Sequence, residues 1–254
     1  FTNPSGMITE TVIKHGGWKQ CIGLCNVPLG FLRREPGLLD MPEEELFQQF
    51  AGLNHFHWHL SDDQGWRIES KRYPKLHEIS SVRAGDHFGN YRSDQRSGGF
   101  YTRDEVRDIV DYCGKLGIEV VPEVDMPGHV TAILAAYPQL SCLGKPVEVE
   151  TRAGIFKELF CAGKEETFTF IENLLDDLME IFPGKYFHIG GDEAPKERWN
   201  GCACCQKRIE EEGLKNAQEL QGYFCNRIAS YLLSKGRIPI VWNEAVYGGN
   251  LDKE

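Results

Sequence analysis

The chain has 254 residues, of which 41% are hydrophobic, 26% charged and 11% aromatic, a composition that excludes disorder and suits one large globular domain. Its formal charge of -10, with no run of lysines or arginines, argues against a nucleic acid partner, since neutralising phosphates needs a basic face. No stretch approaches the roughly eighteen consecutive apolar residues of a membrane span, and the opening FTNPSGMITETVIKHGG lacks the charged and apolar regions of a signal peptide.

Residues 1–41 show little pattern, whereas residues 42–254 repeat one unit. EEELFQQFAG followed by LNHFHWHLSD is its first, short copy. TRDEVRDIVDYCGKLG is an amphipathic helix in which Thr102 and Glu105 form a capping box and Val106, Ile109, Val110, Cys113 and Leu116 share a face. Gly117 stops it, and the strand IEVVPEVD follows. ETFTFIENLLDDLMEIFPG with YFHIGGDE and AQELQGYFCNRIASYLLSKG with RIPIVWNE complete the series. In every copy a glycine closes a helix, a short apolar strand follows, and an acid stands at its end: Gly52 and Asp62, Gly117 and Asp125, Gly184 and Asp192, Gly236 and Glu244. Such alternation indicates parallel β/α units, and acids at one end of parallel strands lie where a barrel builds its active site. The segments 63–101 and 126–164, rich in Gly, Arg and aromatics, are expected as long loops that carry binding groups.

FHIGGDEAPKERW sets Asp192 directly against Glu193. A capped helix start explains one such pair, but not acids at the ends of three other strands. His55, His57 and His59 alternate and so share one strand face. With His129, His188 and Asp125 they could hold a metal, which makes a metal-dependent hydrolase the rival enzyme. Histidines filling a barrel interior through hydrogen bonds are the commoner arrangement. Asp125 and His129, four apart across the Pro-Gly turn of PEVDMPGH, are close enough for the aspartate to hold the imidazole in one charge state. Trp242 is the tryptophan expected to stack on a sugar or acetyl group, while Trp66 and Trp199 are expected to be structural. Two adjacent carboxyls poorly fit the usual glycosidase pair on opposite sides of a sugar. If Glu193 is the acid, the nucleophile is expected to be the substrate's own 2-acetamido oxygen, with Asp192 orienting that amide.

HWHLSDDQGWRIE, PEVDMPGH, FHIGGDEAPKERW and VWNEA resemble, in order, the blocks of the glycoside hydrolase family 20 β-N-acetylhexosaminidases, over about residues 44–248. The resemblance implies a (β/α)8 TIM barrel of the α/β class, of which about five units are present. It also implies retention of configuration, a carbohydrate substrate ending in β-linked N-acetylglucosamine or N-acetylgalactosamine, no metal or other cofactor, and a periplasmic or extracellular location. By matching position Glu193 is the acid/base and Asp192 the acetamido-orienting group. Asp62, Asp125 and His129 support the acid, and Trp242 is one wall of the acetamido pocket. The family's first strand carries a sugar-gripping arginine; Arg33, in GFLRREPGLLDM, stands at about the right distance, although its neighbours depart from the pattern. Family members continue for three further units past the position of Glu254, and five strands cannot close a barrel.

Nine scattered cysteines form no disulfide framework. Cys202 and Cys205 make a CxxC in GCACCQ, but with no second CxxC or spaced histidine pair the spacing favours a surface loop over a zinc site. In an oxidising compartment Cys142 and Cys161 are expected to pair and pin the loop that follows Asp125.

Overall fold

The computed structural model describes residues 22–24, 54–88 and 90–246. Five strands form one parallel sheet in chain order: β1 (Ile22–Leu24), β2 (His55–His59), β3 (Glu119–Glu123), β4 (Tyr186–His188) and β5 (Ile238–Ile240). Each pairs with the next in sequence, which is the winding of a (β/α)8 barrel and not of a doubly wound sheet. Strand β1 comes from within the patternless stretch 1–41. The helix expected over 43–52 and Arg33 lie outside the described residues.

The chain forms four longer helices: α1 (Arg103–Lys115), α2 (Glu165–Met179), α3 (Ala203–Glu211) and α4 (Ala217–Ser234), of which α3 packs against α4. The capping box at the start of α1 is as expected, with Thr102 accepting from the Glu105 N–H and the Glu105 carboxylate from the Thr102 N–H. Val106 is buried; Leu116, assigned to the same face, is exposed because the helix ends before it. Gly117 and Gly236 close α1 and α4 with φ of 73° and 74°, a conformation that favours glycine.

Register decides which residues enter the barrel. His55, His57 and His59 stand opposite Glu119, Val121 and Glu123, and His188 stands beside Glu123, so these side chains share the inner face. The alternate residues point outward: Phe56, Trp58, Val120 and Phe187 pack on the helix-side core with Leu174, Leu178, Phe224 and Ile228. Burying such side chains is worth about 1.5–3 kcal/mol each.

The long segments 63–101 and 126–164 are loops with short elements of their own. The first is fastened to the barrel by a buried ionic cluster: Asp177 on α2 accepts from Ser70 Oγ (2.7 Å), the Lys71 N–H (3.0 Å) and the Arg103 guanidinium (2.8 Å). Trp66 and Trp199 are both core residues, as expected, and the indole N–H of Trp199 donates to the Phe160 carbonyl at 2.8 Å. No described helix is long and apolar enough to cross a membrane.

Candidate active site

The acids assigned from sequence converge at the C-terminal ends of β2, β3 and β4. The helix after β4 begins only at Glu197, so Asp192 and Glu193 stand in the strand-end loop and cap nothing. The backbone reaches this position through Gly190 and Gly191, both at positive φ. A Cβ on Gly190 would fall 1.7 Å from Asp125 Oδ1, so only glycine lets the loop close over that carboxyl. Glu193 itself adopts φ 40°, a conformation that non-glycine residues rarely take, and its N–H donates to Glu244 Oε2 at 2.9 Å. The acid at the end of β5 thus holds the backbone of the acid at the end of β4.

His129 also has positive φ, at 53°. Its Nε2 lies 3.2 Å from Glu193 Oε2, and its Nδ1 lies 3.2 Å from Asp62 Oδ1 and 3.0 Å from Asp63 Oδ2. Burial alone would strip the imidazole of its charge, but the hydrogen bonds it donates to both aspartates and the charge of Asp125 overcome this and raise it far above the ordinary histidine range. Asp62 is correspondingly held well below the carboxylate range by His129 and His59, against its own desolvation.

Two assignments change. The grip on His129 comes from Asp62 and Asp63, with Asp125 contributing only charge to it. Asp63, passed over in the sequence, is the more buried of the pair, 1% exposed, and is fixed by the Thr131 N–H (2.9 Å) and hydroxyl (2.5 Å). Asp125 instead faces Asp192. Full burial and the neighbouring Asp192 charge push the Asp125 carboxyl well above its usual range. Asp192 is itself raised to about 6, chiefly by burial, while the charge of His129 and a hydrogen bond from Asp125 pull the other way. Two buried carboxyls side by side resist ionising together, and the stronger upward push falls on Asp125, which is therefore the one that favours its proton. Asp192 Oδ1 is buried and receives no N–H from the described residues.

Beneath this group lies a second centre that sequence reading missed. The Glu123 carboxylate, wholly buried, meets His57 Nε2 at 2.6 Å, His59 Nδ1 at 2.7 Å, His188 Nδ1 at 3.3 Å and the Trp242 indole N–H at 2.7 Å. Desolvation would raise this carboxyl, but the charges of His188 and His59 and the hydrogen bonds of His188 and His57 hold it well below the carboxylate range. Trp242, expected as a pocket wall, therefore has its indole edge turned inward, with its ring against His188 (4.5 Å between centroids) and His57 (5.6 Å). Of the histidines assigned to a rival metal site, His57, His59 and His188 converge on this carboxylate, while His55 faces Glu119 and His129 faces Asp62, Asp63 and Glu193. Glu123 and Asp62 push the His59 imidazole well above its ordinary range despite its burial.

The pattern that describes the catalytic domain of glycosyl hydrolase family 20 matches residues 49–254. The chain belongs to glycosyl hydrolase family 20. Among its family 20 relatives, the β-hexosaminidase of Porphyromonas gingivalis is 46% identical over 197 residues, covering 78% of this chain and 25% of the relative. That of Akkermansia muciniphila is 40% identical, covering 77% and 39%. The crystal structure of a β-N-acetylhexosaminidase from Bacteroides fragilis superposes with a TM-score of 0.68 at 43% identity, covering 79% of this chain and 38% of that one. An exo β-N-acetylglucosaminidase from Vibrio harveyi, solved in complex with N-acetylglucosamine, superposes with a TM-score of 0.70 at 33% identity, covering 83% and 34%. This family 20 chain thus spans between a quarter and two fifths of the length of these two curated relatives.

Proposed function

We propose that the chain supplies the acid/base half of a retaining exo-glycosidase that removes terminal β-linked N-acetylglucosamine or N-acetylgalactosamine with the help of the substrate's own acetamido group. The observation that carries this reading is the contrast between two adjacent carboxyls. Glu193 is 40% exposed at the mouth of the strand ends and backed by an imidazolium; Asp192 is turned inward, with a buried oxygen that lacks a donor.

Glu193 gives its proton to the glycosidic oxygen as the bond to C1 breaks. The negative charge that appears on its carboxylate faces His129 Nε2 at 3.2 Å, so the imidazolium stabilises charge that develops only in the transition state. Asp62 and Asp63 keep that imidazolium charged. Asp192 accepts the acetamido N–H, which sharpens the amide oxygen as nucleophile toward C1 and stabilises the positive oxazolinium ring it forms. Glu193 then takes a proton from the water that opens this ring, and configuration is retained. The metal-hydrolase alternative is less well supported, since three of its histidines, His57, His59 and His188, already grip Glu123.

The test is leaving-group dependence in the protein that carries this chain. Glu193→Gln should slow aryl N-acetylglucosaminides with poor leaving groups by about 10²- to 10⁴-fold and spare good ones. An equal loss across the series would remove Glu193 from the role of acid. Wild-type protein that binds N-acetylglucosamine but turns over no substrate would favour a binding module.

A further inference from the structure

Cys142 and Cys161 are not bridged to each other, and Cys202 and Cys205 do not lie in a surface loop. All four thiols are free and converge on one point, with their sulfurs within 4.8 Å of one another. Cys161 Sγ lies 3.6 Å from Cys205 Sγ and 3.7 Å from Cys202 Sγ, and Cys142 Sγ lies 3.8 Å from Cys205 Sγ. Four thiolates set tetrahedrally around zinc at the usual bond length of about 2.3 Å stand about 3.8 Å apart. A disulfide would need about 2.05 Å.

From this geometry we infer that Cys142, Cys161, Cys202 and Cys205 form a structural zinc site. It lies apart from the acids and is independent of the glycosidase reading. The surroundings suit a metal bound by thiolates. Cys142 and Cys161 flank the antiparallel bridge between Ser141 and Phe160, while Cys202 and Cys205 sit at the N-terminal end of α3. That helix end presents partial positive charge to thiolates. A Cβ on Gly163 would fall 2.2 Å from the Cys204 carbonyl carbon, so the two ligand-bearing segments close on each other only because residue 163 is glycine.

Such a site fastens the two loops that hold the proposed proton donor. Phe160, next to Cys161, donates its N–H to the Pro127 carbonyl at 3.0 Å, two residues before His129. Its carbonyl receives the indole N–H of Trp199, which lies in the short helix Glu197–Asn200 directly after the Glu193 loop. Zinc supplies no chemistry to the reaction here; it holds the His129 loop and the Glu193 loop together. Zinc binding releases the thiol protons and leaves all four sulfurs as thiolates, with no oxidant required.

The protein should be purified without chelator or metal-affinity steps, and its metal measured by elemental analysis. One zinc per chain is expected, released in step with mercurial titration of four thiols. Cobalt exchanged into the site should give the intense visible bands of tetrahedral thiolate coordination. Cys205→Ser should abolish metal binding, while Cys204→Ser, which alters an exposed neighbour, should keep it. Metal content and the cobalt spectrum of the wild type decide the matter even if Cys205→Ser does not fold. Metal-free protein with four freely reactive thiols would overturn the inference. So would a non-reduced peptide map in which these cysteines form two disulfides.

Discussion

Asp125 offers a sharp test of the proton inventory, because burial and the Asp192 charge push its carboxyl toward the protonated form. Its amide isostere, Asp125→Asn, keeps both the size and the donated hydrogen bond to Asp192. The acid limb of kcat/KM, set by ionisation of Asp192 at about 6, should therefore stay in place in this variant. Asp125→Ala removes the donor. Losing one hydrogen bond to a charged acceptor costs about 1.5–3 kcal/mol, which moves the limb upward by about one to two pH units. The opposite assignment has a different consequence. If Asp125 were ionised, its charge would stand beside Asp192 at a separation of about 5 Å and, at an effective dielectric constant near 20, would repel it by about 3 kcal/mol. Asp125→Asn would then lower the limb by about two units. The assay is a pH profile with a chromogenic N-acetylglucosaminide, paired with ¹³C-aspartate NMR titration as a readout that needs no turnover. A two-unit fall of the limb in Asp125→Asn would refute the shared proton.

Asp192 also ties function to stability. Its folded pKa of about 6 lies above the ordinary 3.8, so its contribution to stability is fully present below about pH 3.8 and is lost as pH rises through 6. Asp192→Asn should therefore be more stable than wild type by about 1–3 kcal/mol at pH 7.5, with the difference vanishing near pH 4, as read by urea denaturation at the two pH values. The buried Asp177 cluster should behave in the opposite way: Asp177→Ala removes the carboxylate that accepts from Ser70, the Lys71 N–H and Arg103, leaves the buried guanidinium paired only with the solvent-exposed Glu180, and should cost about 3 kcal/mol by the same method, against less than about 0.5 for the exposed Asp104→Ala.

The parallel units were legible because each is written locally: a capping box, a helical stripe, a closing glycine and an apolar strand all lie within one stretch of chain. Asp192 and Glu193 were legible as more than a helix cap because the other strands end in acids too. What escaped the sequence is what register and loop closure create. Glu123 meets His57, His59 and His188 only because β2, β3 and β4 align in one register, and no local spacing announces that pairing. An HxHxH strand beside a strand with an acid at the matching depth was the available signal. Asp62 was assigned by matching position and Asp63 was passed over; the chain turns at this point, between the short antiparallel pieces Ser61–Asp62 and Gly65–Trp66, and both carboxylates reach His129. The four cysteines come from three separate stretches of chain, so the CxxC was visible while its partners were not.

The division of labour between Asp192 and Glu193 is tested most directly by the affinity of a thiazoline mimic of the cyclic intermediate, measured by calorimetry on wild type, Asp192→Asn and Glu193→Gln. Wild type should bind it tightly. Asp192→Asn should bind it about 10²-fold or more weakly, since a buried charge-assisted hydrogen bond and the ion pair behind it are gone, and Glu193→Gln should be affected far less. Equal affinity for wild type and Asp192→Asn, or no binding to wild type, would contradict substrate-assisted catalysis at this site.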